Sequence, residues 1–359
     1  MKHKKTYKAA VIGCGWRGRG HIQAYQLIDN AECVACCDLL PAKREALAGE
    51  FGIKAYGDAE EMIRAEKPDI VHVVTLPNFR VEPLTLVSRM GVPLCTVEKP
   101  VATGVPDWQK LRELATSSRT RFAVCHQTRW NPHLEACRQA TAQNKMGQPI
   151  LAHLSAAMNI TNQGTHTLNY GLSLLGDPDV TEVFGNACGW DTNDKAHPAP
   201  ETTVAQLTLA NGVKALWTSG PVSPRCGNPA TIHEHVRVGA HFENGRVEWQ
   251  QFGAWEIVRG ARRESGRCFT TEKAFGENWT WEQAEFHKAM FAWLEDDSRP
   301  AGTNLKRSLH EWAVVLALYH SALERRPVSM ADFHPPLDLV DQYKAAVLTR
   351  TPGNDQKSK

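Results

Sequence analysis

The first 125 residues alternate short apolar runs with amphipathic segments, and this alternation limits the fold more than any other feature. The apolar runs lack a strict every-second-residue pattern, which is typical of strands buried on both faces of a sheet. Strands that are separated by helices pair in parallel. The segment is therefore predicted to form a doubly wound α/β fold; the runs are KAAVIGC, ECVACCD, DIVHVVTL, VPLCTVE and RFAVCH.

The second part of the chain has a different pattern. Two alternating segments flank Asn211 and Gly212, a strong hairpin signal, and a second such pair flanks Glu243 to Gly245. Two long helical patterns, TWEQAEFHKAMFAWLE and LKRSLHEWAVVLALYHSALE, follow. We predict a C-terminal α+β domain with an open, largely antiparallel sheet, and the predicted division is residues 1–125, 126–351 and a disordered tail 352–359.

The composition indicates a protein that acts on small molecules. The 41 Lys and Arg balance 39 Asp and Glu, so no net field favours nucleic acid or an anionic membrane. No apolar run reaches membrane-spanning length, and none has the form of a signal peptide, so we expect a soluble, cytoplasmic protein. The ten cysteines are expected to be buried, reduced thiols rather than disulfides.

A glycine pattern follows the first predicted strand. Gly13, Gly15 and Gly18 form G-x-G-x-x-G between a strand and a helix, where glycines permit a tight turn, a close pyrophosphate and helix–strand packing. Asp38 ends the next strand, twenty residues beyond Gly18, where a carboxylate can accept hydrogen bonds from ribose hydroxyls. A plain strand–helix turn would leave Asp38 unexplained. This combination predicts a Rossmann dinucleotide site that Cys14, Trp16 and Arg17 also border.

The end of the second strand indicates which dinucleotide binds. The Asp38 carboxylate repels a 2′-phosphate, and Leu39 beside it offers no cation, so NAD is favoured over NADP. The cations of Lys43 and Arg44 nearby weaken this preference.

The sequence E-K-P, Glu98 to Pro100, follows a predicted central strand. Open α/β sheets bind ligands at this carboxyl edge, and we expect Thr75, Pro77 and Asn78 after the preceding strand to line the nicotinamide side. Alone, Glu98 and Lys99 could be a charged pair that caps a strand. Beside a nicotinamide, a desolvated lysine can serve as a general acid/base, and Lys99 is the candidate.

Together, the glycine loop, Asp38, the T-x-P element, E-K-P and a downstream G-x-H helix resemble the glucose-fructose oxidoreductase, inositol dehydrogenase and rhizopine-catabolism family (Gfo/Idh/MocA). The resemblance covers nearly the whole chain. It implies an NAD(P)-dependent oxidoreductase that acts on the CH–OH groups of sugars and cyclitols. It also implies a Rossmann domain joined to an open-sheet domain that forms homodimers or homotetramers.

The resemblance carries the family's site onto particular residues. The catalytic lysine falls on Lys99. The D-x-x-x-H motif and the following acid fall on Asn162, His166 and Asn169, so that only the histidine is kept. The histidine after T-x-P falls on Arg80. An arginine pair on the substrate side falls on Thr128 and Arg129, with Trp130 expected beside the pocket. The resemblance thus implies Lys99, His166 and Asn162 as catalytic residues, and these three with Arg129, Trp130 and Asn169 as the substrate site.

The exchange of both acids for amides leaves alternatives open. Without the resemblance, Asn162 is an N-cap candidate and His166 a polar residue of a first helical turn. With it, a pocket holding Lys99, Arg129 and His166 would tolerate a carboxylated sugar. Two other functions stay open: an NAD-dependent glycosidase that uses transient oxidation, and a catalytically weak NAD-binding sensor or scaffold.

We predict no metal site. His233 and His235 alternate onto one strand face, but no third ligand is apparent, and an exposed or interface strand explains them. Trp293 and Trp312 are expected to pack within helices.

Overall fold

In this computed structural model the chain is described over residues 5–349, apart from 144, 195, 226–234, 252, 268–271 and 299. Over residues 272–278 and at 349 only the backbone is described. His233 lies outside the described residues.

The described chain contains strands in two groups. The first group is β1 Tyr7–Ile12, β2 Ala31–Cys37, β3 Lys54–Tyr56, β4 Ile70–Val73, β5 Leu94–Glu98 and β6 Arg121–Cys125. The second group is β7 Pro149–Ala156, β8 Val180–Cys188, β9 Thr202–Leu209, β10 Lys214–Ser219, β11 Val236–Phe242, β12 Gly245–Gln250, β13 Ala254–Arg259, β14 Arg262–Arg267 and β15 Val328–Ser329.

Helices separate the strands of the first group and cover parts of the second. They are α1 Trp16–Ala24, α2 Pro41–Phe51, α3 Ala59–Glu66, α4 Val81–Arg89, α5 Val105–Ser117, α6 Pro132–Ala142, α7 Thr165–Ser173, α8 Glu272–Glu295, α9 Leu305–Glu324 and α10 Leu339–Thr349. Among the described helices, none has the length and apolarity that crossing a membrane requires.

The chain divides into two compact units, and the first contains the parallel sheet. Its six strands have the order β3-β2-β1-β4-β5-β6, and all pairs are parallel. This is the order of a Rossmann sheet, as predicted. The predicted apolar runs form strands, and β3 is an additional, short edge strand. Helix α8 covers part of this sheet, where Phe286 and Met290 join the core and Phe291 stacks on Tyr7 at 4.5 Å.

The second unit contains a nine-stranded sheet of the order β14-β13-β12-β11-β7-β10-β9-β8-β15. All neighbouring pairs are antiparallel except β7 and β10. The hairpin predicted at Asn211 and Gly212 joins β9 to β10, and the one at Glu243 joins β11 to β12. The predicted open, largely antiparallel sheet is therefore confirmed.

The two units are not simple halves of the chain. Residues 1–102, 109–131 and 271–309 form the first, and residues 103–108, 132–270 and 310–359 form the second. Helix α8 thus packs with the first unit, although the predicted boundary near residue 125 assigns it to the second domain. Its apolar side chains complete the core beside β1, which is a contact across more than 270 residues that local sequence patterns do not report.

The cysteines are mostly buried. Among the described residues, the eight cysteines are all free thiols, and only Cys188 is exposed. Within this part of the chain, six of the eight are buried free thiols as expected, Cys33 is half-buried and Cys188 is exposed.

Candidate active site

The glycine loop lies between β1 and α1. Gly13 has a φ of +108°, and a Cβ there would lie 2.7 Å from the Val74 carbonyl oxygen. A Cβ at Gly18 would lie 2.0 Å from the Gly13 oxygen, so both positions require glycine. Beside Gly15, the N-cap of α1, a Cβ would meet no atom within 4 Å. The loop therefore leaves open space at the helix N-terminus, the place where a pyrophosphate binds in this type of fold.

The carboxylate of Asp38 is fixed to the glycine loop. Its Oδ2 accepts a hydrogen bond of 2.8 Å from the Cys14 backbone amide, and its Oδ1 accepts one of 2.9 Å from the Leu40 amide. The Arg44 guanidinium donates to the carbonyl oxygens of Asp38 and Leu39, at 3.1 and 3.3 Å. The acid and one predicted cation therefore both lie at the end of β2.

Two other predicted cofactor residues of this region form a different contact. The Arg17 guanidinium donates to Glu98 Oε1 from Nε at 2.9 Å and from Nη2 at 2.7 Å, and it also donates to Gln283. His21 Nε2 lies 3.0 Å from the same carboxylate oxygen. The side chains of Arg17 and Glu98 thus bind each other. Trp16 is exposed and packs edge-on against Trp279, 5.2 Å away.

Charge and burial act in opposite directions on Glu98. Burial raises the pKa of the Glu98 carboxyl, but Arg17 and His21 more than offset this and hold the pKa well below its ordinary value. Burial lowers the pKa of His21 despite its contact with Glu98. Glu98 is therefore a buried carboxylate that is paired with the Arg17 cation and contacts the neutral imidazole of His21.

The side chain of His21 continues into a buried histidine cluster. His21 Nδ1 lies 3.1 Å from His287 Nε2, and the His287 ring stacks on His72 at 4.4 Å. His72 contacts the Tyr25 hydroxyl and the Thr96 hydroxyl, each at 2.6 Å. Burial lowers the pKa of His72 and of His287 well below the ordinary value. These neutral imidazoles occupy the core behind E-K-P, and sequence analysis did not select them.

Arg80, which stands at the family's histidine position, connects two loops. Its buried guanidinium donates to the backbone oxygens of Thr75 at 3.2 Å and Lys99 at 3.1 Å, and it also bonds the Pro100 oxygen. The Thr75 hydroxyl donates to the Phe79 carbonyl at 2.8 Å. Pro77 is buried and Asn78 is exposed. Arg80 thereby fixes the T-x-P loop to the backbone of Lys99.

Lys99 is partly exposed at the carboxyl end of β5. His126, which follows β6, is buried close by. Burial, together with the Lys99 and Arg129 cations, lowers its pKa to about 3. Arg129 is 4% exposed, and a Cβ at Gly302 would lie 2.4 Å from its guanidinium. The first unit therefore brings together Lys99, Arg129 and a neutral imidazole that the sequence analysis missed.

Two residues beside Arg129 lie in the interior of the first unit. Trp130 is partly buried and packs edge-on against Phe286 at 5.2 Å. Asn131 Nδ2 donates to Glu282 Oε1 at 2.8 Å. Burial raises the pKa of Glu282 to about 7, although hydrogen bonds from Asn131 and Thr128 act in the other direction.

In the second unit, Asn162 lies in a π-helical turn, Ile160–Gly164, that leads into α7. The turn begins at Asn159, whose side chain accepts from the Asn162 amide at 2.9 Å. The interpretation of Asn162 as the N-cap is therefore wrong, because the π-turn places the first helical residues earlier. The Asn159 side chain, not that of Asn162, caps the turn, and π-turns are often found at functional sites.

His166 and Asn169 lie in α7, and both are buried. His166 Nδ1 lies 3.0 Å from the Tyr170 hydroxyl, one helical turn further on. This contact determines the orientation of the imidazole ring, and Nε2 is the nitrogen on its other side.

Each of the two amides at the family's acid positions contacts a carboxylate from elsewhere in the chain. Asn162 Nδ2 donates to Asp194 Oδ2 at 2.6 Å. Asn169 Nδ2 donates to Glu311 Oε1 at 2.8 Å, and this pair is fully buried. Sequence analysis missed both acids, which lie 32 and 142 residues away along the chain.

The fold and the loop define a class of protein. A parallel sheet of the order 3-2-1-4-5-6, a G-x-G-x-x-G turn and an acid at the end of β2 form a Rossmann dinucleotide-binding unit. Residues 7–126 match the model of the oxidoreductase family with an NAD-binding Rossmann fold, GFO_IDH_MocA. Residues 7–126 therefore match the NAD-binding domain of the Gfo/Idh/MocA family, in agreement with the predicted resemblance.

Curated relatives match part of the chain. D-apiose dehydrogenase of Paraburkholderia graminis is 31% identical over 152 residues, which are 42% of this chain and 40% of the relative. The rhizopine catabolism protein MocA of Rhizobium meliloti is 27% identical over 40% of this chain and 45% of its own length. The chain thus spans less than half the length of these two relatives.

Solved structures match the fold over most of the chain. An oxidoreductase from Agrobacterium radiobacter, solved with NAD+, L-tartaric acid and magnesium, is 18% identical, with a TM-score of 0.78 over 91% of this chain and 99% of that one. The WlbA dehydrogenase of Bordetella pertussis, solved with NADH and UDP-GlcNAcA, is 19% identical, with a TM-score of 0.70 over 91% and 99%.

Proposed function

We propose that this protein is an NAD-dependent oxidoreductase that oxidises a secondary hydroxyl of a sugar, cyclitol or sugar acid, or reduces the corresponding ketone. The observation that carries the proposal is the hydrogen bond between the Cys14 amide and Asp38. It joins the phosphate-binding turn to the ribose-binding acid in one preformed element. One of the relatives described above is named as a D-apiose dehydrogenase, which supports the class of substrate.

The described residues fit NAD. The open space beside Gly15 suits a pyrophosphate, and Asp38 suits two ribose hydroxyls. NAD, when bound, would supply the hydride acceptor for the alcohol. We propose NAD rather than NADP because the Asp38 carboxylate would repel a 2′-phosphate and Leu39 beside it carries no charge. Cys14, Trp16, Thr75, Pro77 and Asn78 would border the cofactor, while Arg17 and Glu98 would support it from behind.

Lys99 is proposed as the main acid/base. Oxidation of an alcohol releases a proton as the hydride leaves, and an amine at the carboxyl end of β5 can accept it. Arg80 holds the Lys99 backbone through its carbonyl oxygen, and Glu98 is fixed by Arg17 directly before it. The lysine is therefore anchored on both sides of its own peptide unit.

His166 is proposed as the partner of Lys99, and Asn162 as an orienting residue. The Tyr170 hydroxyl contacts Nδ1 and orients the ring, and we propose that Nε2, on the other side of the ring, faces a substrate hydroxyl. Arg129, Trp130 and Asn169 complete the proposed substrate site, Arg129 by direct contact and Trp130 and Asn169 by support from buried positions.

We further propose that the nine-stranded sheet mediates a homodimer or homotetramer. Phe184, Val204 and Leu216 are large apolar side chains that lie exposed on β8, β9 and β10. Cross-strand register places Phe184 and Leu216 opposite the same residue, Gln206, so they lie on one face. Sedimentation of the wild type and of Leu216→Glu, which should dissociate, tests this assignment.

The function is tested by NADH absorbance with a panel of neutral polyols, aldoses and the matching uronic and aldonic acids. Wild-type protein should reduce NAD with at least one of them. Lys99→Ala should lose about 10²- to 10⁴-fold of kcat, the range of general acid/base catalysis, while NAD affinity stays unchanged. Lys54→Ala, which removes an exposed lysine on β3, is the matched control.

Two results would favour the alternatives. Cleavage of a glycoside without net NADH, by protein that copurifies with NAD, would indicate a glycosidase. Tight NAD binding without turnover, unchanged by Lys99→Ala, would indicate a sensor or scaffold.

A further inference from the structure

The contact between Asn162 and Asp194 fixes the polarity of the Asn162 amide. A carboxylate accepts hydrogen bonds and cannot donate them, so the Asn162 NH₂ group must face Asp194. The Asn162 Oδ1 is then the acceptor atom of the amide that does not face Asp194. An aspartate at the same position would also present an acceptor oxygen.

Asp194 is held in place by its own loop. Its carboxylate contacts His197 Nδ1 at 3.0 and 3.1 Å, and it accepts from the His197 backbone amide at 3.1 Å. The Asp194 amide donates to Asp191 Oδ1 at 3.2 Å. About four-fifths of the Asp194 side chain is buried. The acid is therefore preorganised rather than a mobile surface charge.

The π-turn itself anchors this loop. Asn159 Nδ2 donates to Asp191 Oδ2 at 2.9 Å and to the His197 carbonyl at 3.1 Å. The Thr161 hydroxyl donates to the same carbonyl at 3.0 Å. The N-cap residue and a residue within the turn thus bind the loop that contains Asp194, the partner of Asn162.

The charge of Asp194 is maintained in this setting. Burial raises its pKa, but His197 and the hydrogen bonds from Asn162 and His197 more than offset this and lower the pKa below its ordinary value. Glu311 stands in the same relation to Asn169, by a contact that is independent of the loop. Both asparagines at the family's acid positions therefore have a carboxylate one hydrogen bond away.

We propose that Asp194 is the positioning acid of this site, and that it acts through Asn162 together with His197. It fixes the orientation of the Asn162 amide by accepting from its NH₂ group, and it keeps negative charge beside the π-turn. The substrate is consequently a neutral polyol or sugar rather than a carboxylated one, because a substrate carboxylate would be repelled here. The inference rests on the proposed function and narrows its substrate class.

A residue swap tests the pair. The variants are Asn162→Asp, Asp194→Asn and the double variant that exchanges the two, with the exposed Asn193→Asp in the same loop as the matched control. At neutral pH, Asn162→Asp should lower kcat/KM about 10- to 100-fold. The variant places a second carboxylate against that of Asp194 and removes the hydrogen bond from the Asn162 amide to it. Asp194→Asn should lose a similar factor, and the swap should recover to within about fivefold of the wild type.

Substrate ranking and pH distinguish positioning from a merely structural role. Wild-type protein should prefer D-glucose or myo-inositol to D-glucuronate, and Asp194→Asn should raise the relative kcat/KM for D-glucuronate by about tenfold. The loss in Asn162→Asp should diminish as the pH falls and one carboxyl becomes protonated. A swap no more active than the single variants, although it unfolds at the wild-type temperature, would overturn the proposal, as would a wild-type preference for D-glucuronate.

The failure of the proposed function would have a different signature. Wild-type protein that reduces NAD with no member of the panel contradicts the oxidoreductase assignment. Thermal unfolding at pH 5 and pH 8 then tests whether Asp194 is the partner of Asn162. The inference is supported if Asn162→Asp lowers the midpoint of thermal unfolding more at pH 8 than at pH 5 and the swap restores the midpoint. A swap that does not restore the midpoint overturns the inference.

Discussion

Arg17 and Glu98 form a two-bond ion pair between the first helix and the end of β5, with distances of 2.9 and 2.7 Å to a single carboxylate oxygen. Glu98 directly precedes Lys99, so this pair fixes the peptide that carries the proposed acid/base. An arginine in a glycine loop would ordinarily be assigned to the phosphates. Here the Arg17 guanidinium instead balances the charge of the buried Glu98 carboxylate.

Removal of Arg17 should therefore be costly. Arg17→Met leaves Glu98 buried without its fixed cation, and we expect unfolding free energy to fall by about 3–5 kcal/mol. Arg19→Met in the same helix removes an exposed pair with Glu50 and should cost about 0–1 kcal/mol. Urea unfolding at pH 7 compares the two. Equal losses would show that the buried pair has no special role.

Glu282 should make stability fall as the pH rises. Its pKa is raised to about 7 in the folded protein, so the folded state binds the proton more tightly than the unfolded state does. Stability should decrease between about pH 4.5 and 7, by up to about 3 kcal/mol. Glu282→Gln should flatten this part of the profile. An unchanged slope in that variant would contradict the assignment.

Restoring the family's second acid should destabilise this protein. Asn169→Asp would oppose a second carboxylate to Glu311 in a fully buried position, and we expect a loss of about 3–5 kcal/mol at neutral pH. Adding Glu311→Gln should recover much of it by restoring a carboxylate–amide pair. Asn186→Asp, on the exposed face of β8, is the control and should change stability little. Equal tolerance of both aspartates would refute the buried pairing.

Asp38 should determine cofactor choice. Asp38→Ala removes the carboxylate that would bind two ribose hydroxyls, so we expect kcat/KM for NAD to fall about 10- to 100-fold. Arg44 lies at the same strand end, so NADP should lose less or gain. Initial rates with both cofactors measure the ratio. A variant that keeps the wild-type preference would show that another element selects the cofactor.

The parts of the fold that depend on residues close together in the sequence could be predicted. The apolar runs, the hairpin at Asn211 and Gly212, and the glycine loop each have a local signal, and each lies where it was expected. The short strand β3 escaped prediction because its three residues, two exposed and one half-buried, carry no hydrophobic pattern. The placement of α8 with the first unit depends on packing against β1, which no local signal records.

The site was less predictable for the same reason. Lys99, His166 and the two asparagines followed from the resemblance, but the acids that contact those asparagines are remote in sequence. Asp194 lies in a loop held by side-chain hydrogen bonds, and Glu311 lies in α9. From the sequence, the exchange of each acid for an amide therefore indicated that the site had lost negative charge. In the structure, each amide has a neighbouring carboxylate.

The central claim is that Lys99 serves a site in which hydride moves from a carbinol carbon to nicotinamide. The most direct measurement uses a substrate from the panel that carries deuterium at the oxidised carbon and determines the mass of the NADH formed. The account predicts net NADH that is one mass unit heavier, formed by the wild type and at least about 10²-fold more slowly by Lys99→Ala. NADH without deuterium, or an equal rate in the variant, would contradict it.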